Sequence, residues 1–201
     1  MQFTNVPCFA THLGAKVEVE GLGTISVDVA YGGAFFAIVD APSLGFAVEP
    51  KEARDLVALG TRIRTAAAQQ LPVRHPENPD IHGVTFIEFA MPFAGPGTVS
   101  RNAVIVAPGR IDRSPCGTGT SARLAVLHAR GQLAPGQGFI HESIIGSRFE
   151  AGIARQTTVG GRPGIVPTIA GQAWITGVFQ HGFDPTDPFR GGYTLPDLWF
   201  S

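Results

Sequence analysis

Cysteine is scarce in this chain, with two among 201 residues, Cys8 and Cys116. The N-terminal stretch Met1-Gln2-Phe3-Thr4-Asn5-Val6-Pro7 lacks the basic and apolar regions of a secretory signal, so the pair reads as two reduced thiols in a cytoplasmic setting and not as a disulfide. No apolar run reaches 18 residues, which excludes a membrane-spanning helix of the ordinary kind. Charge of one sign is lacking too. Fifteen Lys and Arg stand against sixteen Asp and Glu, a net charge of -1, which leaves no basic face for nucleic acid and no polybasic patch for a membrane. The six histidines, His12, His75, His82, His128, His141 and His181, show neither a Cys-x-x-Cys partner nor a His-x-x-x-His spacing, so they read as surface or hydrogen-bonded residues and no metal site is expected. Asp184 and Asp187, separated by Pro185, read as turn residues.

Glycine and proline are plentiful, 26 and 16, and punctuate many short strands. Residues 16–20 and 24–29 alternate around Gly21-Leu22-Gly23 and predict a hairpin. The unbroken apolar run 34–39 predicts a central strand buried on both faces. From Pro50 a helix is expected, with Leu56, Val57, Leu59, Ile63, Ala66 and Ala67 on one face. Residues 71–80, with Pro72, Pro76 and Pro79, must be loop. Further strands are expected at 84–89, 101–107, 139–145, 149–154, 165–169 and 173–179. The helix after Cys116 is apolar almost all round, so a sheet should wrap it. Together these predict an α+β domain of two helices, with a helix threaded through a curled sheet.

The richest stretch is Asp112-Arg113-Ser114-Pro115-Cys116-Gly117-Thr118-Gly119-Thr120-Ser121-Ala122. It sets a thiol between a strand and a helix that Gly131 stops. Unpaired N–H groups and the helix dipole at such a junction favour an anion, either a Cys116 thiolate or a bound carboxylate. A lone cysteine is more often mere packing. Here Pro115 and the two glycines describe a tight turn with exposed amides, and Asp112 adds a charge one turn away. Gly117-x-Gly119-x-x-Ala122, with Glu142 downstream, also matches a dinucleotide fingerprint. The Asp-Arg-Ser-Pro-Cys turn before the first glycine and the lack of a preceding βαβ series argue against a nicotinamide site. No Lys follows the glycines, so a phosphate-binding loop of the Walker type is excluded.

The same stretch resembles the second cysteine motif of the proline racemase family, which includes hydroxyproline 2-epimerases and trans-3-hydroxyproline dehydratases. Val6-Pro7, Asp28-Val-Ala-Tyr-Gly-Gly33, His75-Pro-Glu-Asn-Pro79, His141-Glu-Ser-Ile-Ile-Gly146 and Asp187-Pro-Phe189 resemble further family stretches in the same order. The resemblance implies a diaminopimelate epimerase-like fold, a mostly antiparallel sheet curled as a barrel round a central helix, in one of the family's two domains. It places a C-terminal-type domain at residues 1–183 and a tail at 184–201 that returns to complete an N-terminal domain. The family's first cysteine, in a Met-Cys-Gly-His type motif, has no counterpart here, and Cys8 does not replace it.

What the resemblance implies is cofactor-independent inversion at Cα of proline or hydroxyproline, with Cys116 as one of two acid/base thiols. It assigns Gly117 and Thr118 to the substrate carboxylate, Asp112 to the ring nitrogen, and Val106 and Phe86 to the pocket. Val106 leaves room for a ring hydroxyl, whereas Phe86 stands where epimerases more often have His. Cys116 itself argues against dehydration, since dehydratases carry Thr there. With half a site the chain is expected to be inactive alone, and its uncovered cleft face to favour self-association or a companion domain. The competing reading is a non-catalytic paralogue that keeps the fold or ligand binding.

Overall fold

The computed structural model of the protein describes residues 1–106 and 108–194. Its ten strands are β1 (Gln2–Thr4), β2 (Phe9–Val19), β3 (Gly23–Tyr31), β4 (Phe35–Asp40), β5 (Phe86–Ala90), β6 (Val99–Val106), β7 (Arg110–Ile111), β8 (Gly138–Ser143), β9 (Arg148–Val159) and β10 (Arg162–Ala170). Two helices join them, α1 (Ala53–Gln70) and α2 (Gly117–Ala129). All strands belong to one sheet in the order β1-β10-β9-β8-β6-β5-β4-β3-β2, with β7 paired to β6. Among the described residues, only β4 with β5 and β6 with β8 run parallel.

The connections explain why the helices lie apart. Helix α1 is the crossover of the first parallel pair and α2 that of the second. Both steps move the same way across the sheet, but β5 and β6 are antiparallel, so the two pairs point in opposite directions. Right-handed crossovers therefore set α1 and α2 on opposite faces. Side chains alternate to match. Phe35, Ala37 and Val39 of β4 join the core under α1, while Phe36 and Ile38 join the core round α2. The run 34–39 is apolar without alternation because both faces of this strand are covered.

The hairpin, the central strand and both helices stand where the sequence places them. Four expectations need correction. The sheet curls round α2 without closing into a barrel: β1 and β2 are the two edges, and β10 meets the start of β2 only through the bridge between Cys8 and Ile165. A βαβ unit does precede β6, namely β4-α1-β5. What separates the Gly117 motif from a dinucleotide loop is β7, which doubles back on β6 so that no strand runs straight into the glycines. Residues 173–179 form no strand. The edge of β10 is already taken by β1, Gly171 N–H bonds Met1 C=O, and the chain then leaves the sheet with Trp174, Ile175, Val178 and Phe179 exposed. The strand over 101–107 begins at Val99, and Ala107 lies outside the described residues, as do Pro196, Trp199 and Phe200 in the tail.

Among the described residues, no helix is long and apolar enough to cross a membrane.

Candidate active site at the N-terminus of the enclosed helix

Strand β7 returns along β6 and Asp112 N–H bonds Val104 C=O at 2.9 Å, which delivers the chain to the open end of the α2 face. A tight turn follows. Asp112 Oδ1 accepts from Ser114 N–H at 3.1 Å and from its hydroxyl at 3.2 Å, and Ser114 Oγ accepts Cys116 N–H at 3.1 Å. Pro115 has no N–H to satisfy, and its carbonyl accepts from Asn102 Nδ2 at 2.9 Å and Thr120 Oγ1 at 3.3 Å. Cys116 is the N-cap of α2 with φ 64° and ψ 115°, a left-handed backbone that a residue with a Cβ rarely adopts. The surrounding hydrogen bonds hold it there.

The first intrahelical bond runs from Thr120 N–H to Cys116 C=O at 2.8 Å, so the amides of Gly117, Thr118 and Gly119 have no backbone partner within the helix, and that of Gly119 turns to the Cys116 sulfur. The Cys116 sulfur lies 3.5 Å from Thr118 Oγ1. Gly32, in the turn between β3 and β4, lets this helix end sit against the sheet: a Cβ there would lie 2.1 Å from Thr118 O and 2.5 Å from Ala122 N. Asn5 ties the same place together, donating to Gly32 C=O at 3.0 Å and to Ser121 Oγ at 2.8 Å.

Of the residues singled out from sequence, Cys116, Asp112, Gly117 and Thr118 are assembled within this one turn. Val106 and Phe86 share its face of the sheet, at the end of β6 and the start of β5, with the Phe86 ring centroid 5.1 Å from that of Phe36. Asp112 is anchored through Oδ1 inside the turn. Cys8 stands apart, fully buried, its thiol donating to Val6 C=O at 3.0 Å.

One expectation about charge is overturned. Burial pushes the Cys116 thiol up to about 11, reinforced by the negative charges of Asp112 and Glu88, while Thr118 Oγ1 and Gly119 N–H pull the other way. Loss of solvation outweighs the amides of one helical turn, so at neutral pH the residue is a thiol and not a thiolate. Cys8 is raised further, to about 12, by burial.

Beneath the turn lies a buried polar group of which the sequence singles out only His141, as a surface or hydrogen-bonded histidine. Glu88 on β5, Asn102 on β6 and His141 on β8 are all buried and reach the α2 face by strand alternation. His141 Nδ1 lies 2.9 Å from Thr120 Oγ1, and its Nε2 lies 3.5 Å from Glu88 Oε1. Burial pushes Glu88 up, to about 8, against the pull of the Arg123 charge and the Asn102 side chain, and pushes His141 down, to about 3, with Arg123 adding to it, so both are driven toward their neutral forms. The available signal was a glutamate two residues from Phe86 in an otherwise apolar strand with both faces covered.

The class of molecule is now defined: a curled α+β sheet presenting a thiol and an unpaired turn of amides at the mouth of an enclosed helix. A sequence profile of the proline racemase family matches residues 1–194, and the chain belongs to that family. It is similar to a probable proline racemase from Agrobacterium radiobacter K84, solved with bound carbonate, at 41% identity and a TM-score of 0.84 over 98% of this chain and 58% of that one. It is also similar to a hydroxyproline epimerase from Agrobacterium vitis, solved with trans-4-hydroxy-L-proline, at 43% identity and a TM-score of 0.83 over 98% of this chain and 56% of that one. The chain thus spans a little over half the length of these two relatives.

Proposed function

We propose that this chain carries one half of a cofactor-independent acid/base site that inverts Cα of proline or hydroxyproline, with Cys116 as the group that takes or gives the α-proton on one face. The observation that carries this reading is the placement of Cys116 as the N-cap of α2, beside the unpaired amides of Gly117 and Thr118 and with Gly119 N–H facing its sulfur. Those amides suit a carboxylate. An imino-acid carboxylate seated there brings its α-carbon beside the sulfur, and a ring ammonium near Asp112 offsets one of the negative charges that hold the thiol up. Removal of the α-proton by the Cys116 thiolate leaves the electron pair delocalised into the carboxyl group, and a proton delivered to the opposite face completes inversion.

That second proton must come from another group. The other thiol in the chain, Cys8, is fully buried and hydrogen-bonded to Val6, so it supports no such role. The opposing acid is then contributed by a companion domain of the kind the longer relatives have room for. A ring hydroxyl is accommodated by the modest Val106 side chain, which favours hydroxyproline, and Phe86 offers it no polar partner. Cys116 in place of Thr opposes a dehydratase.

Polarimetry on L-proline and trans-4-hydroxy-L-proline tests the half-site. The chain alone leaves the rotation of both unchanged. Inversion by the chain that is lost in Cys116→Ser would mean that a second acid is present and would overturn the division of labour.

A further inference from the structure

The site as described leaves Glu88 unused. Its two carboxyl oxygens are buried without a hydrogen-bond partner, and so are Asn102 Oδ1 and His141 Nε2 beside it. A buried carboxyl group with no partner costs stability, and it sits directly under the reactive turn. A Cβ at Gly119 would lie 3.0 Å from Glu88 Oε2 and 3.3 Å from Cys116 Cβ, so the carboxyl oxygen and the thiol-bearing carbon flank the same bare α-carbon. Glycine at this point lets the carboxyl group and the thiol approach each other.

Behind Glu88, Thr120 Oγ1 lies 3.3 Å from Pro115 C=O and 2.9 Å from His141 Nδ1, and His141 Nε2 faces Glu88 Oε1 at 3.5 Å. The groups that face this cluster are Arg123 and Cys116 from α2, His141 from β8 and Asn102 from β6. Asp28 and Asp40 with Arg130 act on Arg123, and Asp112 acts on Cys116.

We propose that Glu88 is a positioning residue for Cys116 that works by its charge: as the neutral carboxyl it leaves the sulfur free to ionise, and as the carboxylate it holds the thiol protonated. The two groups then ionise against each other, and the gain of thiolate with pH is held back on the alkaline side by a residue that never touches substrate. The inference rests on Cys116 being the acid/base group, but its test reads thiol chemistry and not turnover.

The test is the rate of Cys116 alkylation by iodoacetamide from pH 6 to pH 10 on the 201-residue chain, read peptide by peptide so that Cys8 is scored separately. In the wild type the rate rises with pH, flattens where Glu88 loses its proton near pH 8, and then resumes. In Glu88→Gln the rise is unbroken, and above the flat region the variant reacts roughly tenfold faster. Cys8, fully buried, reports the fold: if it becomes labelled as fast as Cys116 in the variant, the fold has loosened and the wild-type profile alone decides. A wild-type profile without the flat region, or one that coincides with a folded Glu88→Gln, overturns the proposal. Failure of proton exchange on proline with the flat region intact would instead count against the functional reading and leave the coupling of Glu88 to Cys116 standing.

Discussion

The two faces of one sheet are built to different standards. Under α1 the buried residues are apolar throughout, from Phe9 and Val17 to Phe89, Ile105 and Val159, and the helix closes on them through Gly60, where a Cβ would lie 2.8 Å from Ile105 Cγ1 and 2.9 Å from the Phe89 ring. Around α2 the core is also apolar, but it holds Glu88, Asn102, Thr120, Ser121 and His141 in full burial. A face that served only stability would not retain unpartnered carboxyl oxygens. The difference teaches where to look for chemistry: the α1 face supplies the rigidity, and the α2 face spends part of it on a thiol in strained backbone above a neutral acid.

The largest effect is expected where the faces meet the turn. Gly32→Ala drives a Cβ into the backbone of Thr118 and Ala122, which no side-chain rotation relieves, and it should cost more than about 4 kcal/mol or abolish folding. Urea denaturation followed by circular dichroism measures it, and a loss under about 1 kcal/mol would mean that α2 is less tightly seated than its contacts indicate. On the α1 face, Phe89→Ala removes a fully buried ring and should cost about 3–5 kcal/mol without changing the relative labelling of the two thiols.

Dependence on pH separates the faces further. Glu88 is raised from 4.5 to about 8, so it binds a proton more tightly folded than unfolded, and the stability it contributes below pH 4.5 is lost as pH climbs through 8. His141 is lowered from 6.5 to about 3, so stability is lost in the other direction, as pH falls from 6.5 toward 3. The two slopes cancel between pH 4.5 and 6.5, which predicts a plateau there and a decline on each side, the alkaline decline totalling about 2 kcal/mol between pH 6.5 and 8. Glu88→Gln should remove the alkaline decline and leave the acid one, which denaturation midpoints from pH 3 to pH 9 would show. A smaller effect concerns the thiols themselves. Cys116, half-buried and raised to about 11, should alkylate faster than Cys8, raised to about 12 and fully buried, and equal rates in the folded protein would deny Cys116 any privileged exposure.

The fold was legible in proportion to how local its signals were. Alternation at 24–29, the apolar run at 34–39 and the glycine-bounded helix after Cys116 each report their own surroundings, and each is found in place. Closure and parallel pairing are set by which distant strands meet, and no window of sequence reports that. The expected barrel, the absent βαβ unit and the strand at 173–179 failed for this reason. The last is apolar and β-branched enough for a strand, but β1 already occupies the edge it would need. In the site, Asp112 to Thr118 could be read because one turn holds them all. Glu88, Asn102 and His141 could not, since three separate strands bring them together. The thiol's acidity was misjudged because a helix N-terminus is visible in sequence and the depth of burial is not.

The central claim is that Cys116 exchanges a proton with the α-carbon of a ring imino acid held on the amides of Gly117 and Thr118. The most direct measurement follows α-deuteration of L-proline and trans-4-hydroxy-L-proline in D2O by proton NMR with the 201-residue chain. The account predicts slow exchange with retention of configuration that disappears in Cys116→Ser. Exchange that persists undiminished in Cys116→Ser, or no exchange by the wild type under conditions where the ligand is bound, would contradict it.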